Sequence, residues 1–354
     1  ICVVRASAPA LMTCRALGGG LQGSGFHTTQ LLGAEDGAAT PLVLVGSVFE
    51  AESGVFEAIS GDRVPVPPDT YDATQLASGV VTLSILDKRV LLGAASAPEP
   101  LAGTDPVEHG HDPSAPQLAS DALVWLARGR LFARDVGAST ATDLGATAID
   151  SIPIDVSGCR TADLLALDLD AAGFLLRSGG GWSIARPEPP LERPLEGSLS
   201  YACDDQGVSA IAVAHDARTP GAPTTLTEAR CTPEGCRREQ VELSDLGHLA
   251  GSPVAVRLGD RILLAFHRTT PEGADAGVRM RLAPLRELGG APETVLFDPL
   301  ELEPTRDTAT HVRLALHARG DAAWVLVFHE GAWIPIAVAP DGAFEAVRAA
   351  AATP

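Results

Sequence analysis

One phrase keeps returning in this chain: an apolar run, a tight Asp/Gly turn, then a second apolar run. It reads Leu164-Leu165-Ala166-Leu167-Asp168-Leu169-Asp170, then Gly173-Phe174-Leu175-Leu176. It returns as Val254-Ala255-Val256-Arg257-Leu258, Gly259-Asp260, then Arg261-Ile262-Leu263-Leu264-Ala265-Phe266-His267. A third copy is Val312-Arg313-Leu314-Ala315-Leu316-His317, Arg319-Gly320-Asp321, then Ala323-Trp324-Val325-Leu326-Val327-Phe328-His329. A self-similar unit of about 40–50 residues, made of strands and turns, marks a radial repeat architecture.

Eight strand pairs follow this pattern: 2–5 with 11–16, 42–48 with 55–59, 80–86 with 89–94, and 122–126 with 130–135. The others are 163–169 with 174–177, 199–203 with 209–215, 253–258 with 261–268, and 311–317 with 322–329. The first strand of each pair is apolar almost throughout, as a strand covered on both faces must be. The strands that follow alternate, as half-exposed strands do. Such a unit cannot bury its own faces, so its copies must stack. The expectation is an all-β chain: a single β-propeller of seven or eight blades, with three to four antiparallel strands per blade. The repeat units fall near 1–38, 39–71, 72–115, 116–155, 156–194, 195–248, 249–307 and 308–354. On this pattern the chain resembles bacterial secreted β-propellers in general. It has no Trp-Asp ending, paired-glycine signature or Asp-box, so the resemblance implies no functional residues.

Composition narrows the classes. Net charge is −19 and the basic residues are scattered singly. Nucleic acid needs a basic stripe to displace counterions, and an anionic bilayer needs a basic face. Neither is expected as a partner. The apolar runs are strand-length, short of the ~20 residues of a membrane helix. Thirty-six Gly and twenty-seven Pro suit a protein of many turns. Lys88 is the only lysine and no asparagine occurs, which a GC-rich bacterial genome would cause. Asn-Gly hairpin turns are therefore impossible, and Asp and Gly are expected at positive φ. The chain begins at Ile1 without Met, as a processed or trimmed chain would. A lipoprotein carries its anchored Cys first, and Cys2 stands one place late.

Six cysteines suggest three bridges: Cys2 with Cys14, Cys159 with Cys203, and Cys231 with Cys236. Pro233 and Gly235 make a reversal that brings the last two together, since a disulfide needs Cα atoms about 5.5 Å apart. The rivals are free buried thiols or zinc, but no second ligand pair follows Cys236. Cys-x-x-Cys is absent. Disulfides imply the periplasm, the outer cell surface or the exterior.

Candidate chemistry is sparse. His109, His111 and Asp112 form the most site-like cluster and could hold a metal, although Pro106 and Pro113 place them in a loop. His215, His267 and His329 fall at equivalent places in the repeat and could ring one face, or serve as repeated hydrogen-bonding caps. His317 also ends an apolar run. Asp168 and Asp170 share a strand face. Gly18–Gly20 and Gly179–Gly181 lack the phosphate-loop ending, and no Gly-x-Ser-x-Gly elbow occurs. Trp125, Trp182, Trp324 and Trp333 sit mostly in strands, where core packing is their default use. No catalytic residue and no cofactor is nominated.

The reading is a non-enzymatic binding or scaffold module of an exported bacterial protein. A protein partner would dock on loops such as 97–116 and 219–225. One alternative is a central-channel enzyme, a hydrolase or lyase acting on carbohydrate or a lactone. Another is a structural subunit of a cell-surface assembly or filament.

Overall fold

The structure is a computed structural model. It describes residues 2–5, 8–14, 27–32, 42–47, 54–57, 63–67, 69–76, 78–94, 98–108, 112, 114–147, 158–161, 163–169, 173–192, 197–216, 219, 222–270, 275–297, 313–319, 322–329 and 332–346. The chain is all-β. Among the described residues, strands close in sequence pair antiparallel into eight sheets, A to H in chain order, six of them four-stranded. Among the described residues the only helix is the single 3₁₀ turn Leu285–Glu287.

The chain divides into two compact units, Ile1–Ser157 and Gly158–Pro354. In the first, sheet A pairs Cys2–Arg5 with Ala8–Cys14. Sheet B holds His27–Leu32, Leu42–Ser47, Gly54–Glu57 and Arg63–Val64. Sheet C holds Thr70–Leu76, Gly79–Leu86, Arg89–Ala94 and Glu99–Pro100. Sheet D holds Gln117–Ala119, Ala122–Ala127, Arg130–Asp135 and Thr142–Ala146. The first strands of B and D both pack against the first strand of C.

In the second unit, sheet E holds Gly158–Arg160, Leu164–Asp168, Phe174–Ser178 and Gly181–Ala185. Sheet F holds Gly197–Cys203, Val208–Ala214, Thr224–Thr232 and Gly235–Leu243. In sheet G both His248–Leu249 and Val254–Leu258 pair with Arg261–Thr269, followed by Asp275–Ala283 and Thr294–Phe297. Sheet H holds Arg313–Arg319, Ala322–His329, Ala332–Val338 and Phe344–Ala346. Gly158–Arg160, Gly197–Cys203, Val254–Leu258 and Arg313–Arg319 pack side by side, and Gly197–Cys203 also reaches Arg313–Arg319. The first strands of this unit therefore converge.

Strand periodicity explains the packing. Along Arg261–Thr269, Ile262, Leu264 and Phe266 join a core with Ile211, Val213 and Leu226 of sheet F. The residues between them, Leu263 and Ala265, join a second core with Val325, Val327 and Ile336 of sheet H. Sheet F is used in the same way: Val208 and Ala210 pack with Leu164, Leu176 and Phe174 of sheet E. A strand covered on both faces must be apolar at every position, and each buried Val, Leu, Ile or Phe contributes roughly 1.5–3 kcal/mol.

The order of strands corrects one expectation. The sequence pattern puts the wholly apolar strand first in its unit. In sheets B to E it is the second: Leu42–Ser47, Gly79–Leu86, Ala122–Ala127 and Leu164–Asp168 each follow a strand of their own sheet. The preceding strands left little signal. Gln117–Ala119 and Gly158–Arg160 have three residues each. Thr70–Leu76 buries polar Thr70, Asp72 and Thr74. The turns largely follow expectation: Gly179 and Gly180 take positive φ, as does Asp87, but Lys88 and Arg128 do so as well.

Candidate functional site

Several polar side chains tie neighbouring sheets together. Asp72 Oδ2 accepts the backbone N–H of Leu118 at 2.6 Å, tying the first strand of C to the first strand of D. Its Oδ1 accepts the N–H of Ala73 at 2.8 Å. Beside it, the Tyr71 hydroxyl donates to the Pro116 carbonyl at 2.9 Å. Burial first, then the Asp72 charge, pushes the Tyr71 phenol above its ordinary range. Ser198 Oγ donates to the Pro253 carbonyl at 2.8 Å, and Ser200 Oγ donates to the Ala255 carbonyl, tying F to G. The Tyr201 hydroxyl donates to Asp168 across E and F.

The second unit also holds two arginine–carboxylate centres. Arg257 of sheet G donates through Nε and Nη2 to the two oxygens of Glu228 of sheet F, at 2.5 and 2.6 Å. Ser209 Oγ donates to the same carboxylate at 2.5 Å. The Glu228 hydrogen bond holds Arg257 above its ordinary pKa against the opposing effect of burial. In the second centre, buried Arg281 donates to Asp245 and Glu293, each at 2.7 Å, and to the Leu288 carbonyl at 3.0 Å. Arg268 reaches Glu293 at 2.7 Å, and the Phe266 ring lies under both guanidinium groups. A carboxylate gripped by a guanidinium is a weak general base, so these centres suit the joining of strands rather than proton transfer.

The cysteines close two bridges in the described residues. Cys159–Cys203 spans the first strands of E and F, with Cα atoms 5.5 Å apart. Cys231–Cys236 spans the last hairpin of F. Cys2 stands opposite Cys14 in backbone register, and their side chains lie outside those described.

His109 and His111 lie outside the described residues. Asp112 accepts the Ser114 N–H at 2.9 Å and the Ser114 hydroxyl at 2.7 Å. Among the described residues no three His, Cys, Asp or Glu side chains are grouped to hold a metal ion. The repeat histidines fall at the ends of second strands: His215 just after Val208–Ala214, His267 within Arg261–Thr269, and His329 closing Ala322–His329. His215 is buried, with Nδ1 3.1 Å from Thr224 Oγ1. His267 is buried too, and the His329 side chain lies outside those described. Asp168 is engaged by Tyr201, and Asp170 lies outside the described residues. Trp125 stacks on Phe132 at 5.6 Å, and Arg177 lies over Trp182 at 5.6 Å.

Sequence reasoning missed Glu228, Arg257 and Arg281. The available signal was a charge inside an apolar run, as in Val254–Leu258, and the spacing of Arg279 and Arg281, which puts both on one face.

No family model and no curated protein sequence matches this chain. Solved structures do. Tricorn protease is 12% identical, with a TM-score of 0.41, over 86% of this chain and 33% of that one. BBS1N, in complex with ARL6DN, is 13% identical, with a TM-score of 0.32, over 80% of this chain and 92% of that one. PorZ, a surface component of the type-IX secretion system of Porphyromonas gingivalis, is 10% identical, with a TM-score of 0.25, over 87% of this chain and 46% of that one. No helix among the described residues is long and apolar enough to cross a membrane.

Proposed function

We propose that this chain is a non-enzymatic binding scaffold, a β-propeller of an exported bacterial protein whose loops receive a protein partner. One observation carries the reading. The buried Asp72, Asp168 and Glu228 are all committed to ties between neighbouring sheets. A frame braced in this way holds its loops at fixed positions, which is what a preorganised binding surface needs. Converging first strands support the propeller form, since radial stacking brings the innermost strands together. Two disulfides support export, because such bridges persist in oxidising compartments.

The test places a photo-crosslinking amino acid at Thr104 and, separately, at Pro223, in the full chain expressed in its own cell envelope. The reading expects one dominant protein adduct from at least one position, and its loss when a neighbouring loop charge is reversed. Turnover of a polysaccharide or lactone by the purified chain, with no adduct at either position, overturns it.

A further inference from the structure

A hollow of about 320 Å³ opens at the surface of the first unit, on sheet C. The turn between Gly79–Leu86 and Arg89–Ala94 supplies Lys88 and Arg89 to its lining. The segment 100–106 supplies Pro100, Leu101, Thr104 and Pro106. Hydrogen bonds hold these walls in place. The Leu101 N–H donates to the Val90 carbonyl at 2.7 Å, and the Val107 N–H donates to the Lys88 carbonyl at 3.1 Å. The Lys88 ammonium donates to Glu108 at 2.5 Å, and the Thr104 hydroxyl donates to the Leu101 carbonyl at 3.0 Å. Asp87 and Lys88 take φ of 51° and 63°, a conformation that side chains disfavour and that persists only where the surroundings enforce it.

Charge sets this hollow apart from the chain as a whole. The chain has a net charge of −19, yet the lining sets Lys88 and Arg89 against Asp105 alone. Asp105 is committed to the Arg128 N–H at 3.1 Å, and Lys88 is committed to Glu108. Arg89 is exposed and has no partner among the described residues. Glu99 stands opposite Leu92, and Pro100 stands opposite Leu91. Strand alternation therefore turns Glu99 away from the face that Arg89 and Pro100 share. Asp87 stands in the turn and does not line the hollow. Leu86 is paired with Arg89 across the turn, on the same face. It is 56% exposed, more than any other large apolar residue among those described.

We propose that this hollow seats a segment of a protein partner in which an acidic side chain stands beside an apolar one. The carboxylate meets the fork of Arg89, whose planar donors match two oxygens. The apolar neighbour covers Leu86, Pro100 and Pro106. The hollow is small for a ligand site and half open, so the remaining contact must come from a larger body. The inference rests on the scaffold reading and deepens it, by naming what the loop 97–116 receives.

Lys88 is the only lysine, so reductive ¹³C-methylation of the full chain places one side-chain signal in the hollow and keeps the charge. Lys88→Arg separates that signal from the methylated N-terminus. The probes are the capped dipeptides acetyl-Glu-Leu-amide, acetyl-Gln-Leu-amide and acetyl-Glu-Gly-amide, and acetate. The proposal expects a saturable shift with the Glu-Leu peptide, weakened by salt. The Gln-Leu peptide should bind roughly fivefold more weakly. Arg89→Ala should abolish the preference for Glu over Gln, and Leu86→Ala the preference for Leu over Gly. Both side chains are exposed, and unchanged melting temperatures check that the fold is intact. No saturable shift, or equal affinity for the Glu and Gln peptides, overturns the proposal. Acetate binding as tightly as the Glu-Leu peptide marks a small-acid site, and a shift that grows with protein concentration alone marks a second copy of the chain. Either overturns it too. A crosslinked adduct at Thr104 that survives Arg89→Glu overturns the role of the hollow and leaves the scaffold reading standing. The scaffold reading fails separately, on turnover without any adduct.

Discussion

Arg257 grips both oxygens of Glu228 from the neighbouring sheet, and the two side chains are 14% and 6% exposed. A charge pair withdrawn from water to this degree is costly to break, because removing one partner strands the other. Glu228→Ala should therefore lower the stability of the chain by about 3–5 kcal/mol, read from urea unfolding. Arg257→Met should cost a similar amount. The double variant should cost clearly less than the sum, because the two side chains act as one unit. Additive losses would show that the pair is not coupled.

The two disulfides should contribute unequally. Cys159–Cys203 joins residues 44 apart in sequence, and Cys231–Cys236 joins residues 5 apart. Loop-closure entropy gives about 4 kcal/mol for the first and about 2 kcal/mol for the second. Replacing Cys159 and Cys203 by serine should lower the melting temperature more than replacing Cys231 and Cys236. Calorimetry on the two paired-serine variants makes the comparison.

Much of this frame could be read from the residues, and the part that could not has a physical cause. Apolar strands such as Ala122–Ala127 are covered on both faces and announce themselves by an unbroken run. The bridge from Cys231 to Cys236 was visible because Pro233 and Gly235 dictate a reversal. Strands such as Gln117–Ala119 were hidden, since three residues carry no period. Their omission shifted the apparent repeat by one strand, so that Leu164–Asp168, a second strand, was aligned with Val254–Leu258, a first strand. The contact between Glu228 and Arg257 spans 29 residues and depends on which sheets are neighbours, which local pattern does not specify.

Acid should weaken the second charged centre late. Burial opposes ionisation of Asp245, but hydrogen bonds from Arg281 and the Gly290 N–H outweigh it and hold its carboxyl below the ordinary value. Its contribution is present above the unfolded value of about 3.9 and is lost as the pH falls through the lower folded value. The side chain is 41% exposed, so solvent screening limits the contribution to about 1 kcal/mol or less. Asp245→Asn should flatten the fall in stability below about pH 4, measured as urea midpoints against pH.

A backbone position offers a separate check on sheet F. A Cβ added at Gly207 would sit 2.1 Å from the Cys231 carbonyl oxygen and 3.0 Å from its carbon. Backbone cannot swing aside as a flexible side chain can. Gly207→Ala should cost about 1–3 kcal/mol, as overpacking does. Gly259→Ala meets nothing within 4 Å, though it must adopt a φ of 62°. It should cost less, about 1 kcal/mol. Equal midpoints for the two variants in urea would contradict the close approach at Gly207.

Asp72 provides the most local test of how one sheet is tied to the next. Its carboxylate bridges the N–H of Ala73 in its own strand and the N–H of Leu118 in the first strand of sheet D. The side chain is buried, as is Leu118, so water cannot replace a lost acceptor. Asp72→Ala leaves two donors unmet and should cost about 1–3 kcal/mol for each. Asp72→Asn keeps one acceptor but points its amide group at the second N–H, so it should recover only part of the loss. Hydrogen exchange separates this from a general loosening. The Leu118 amide should lose protection in both variants, by more than the change in global stability explains. Amides of Val208–Ala214, in the other compact unit, should change only by that global amount. Uniform loss of protection across both units would mean that Asp72 supports the fold at large and not the single tie to Leu118.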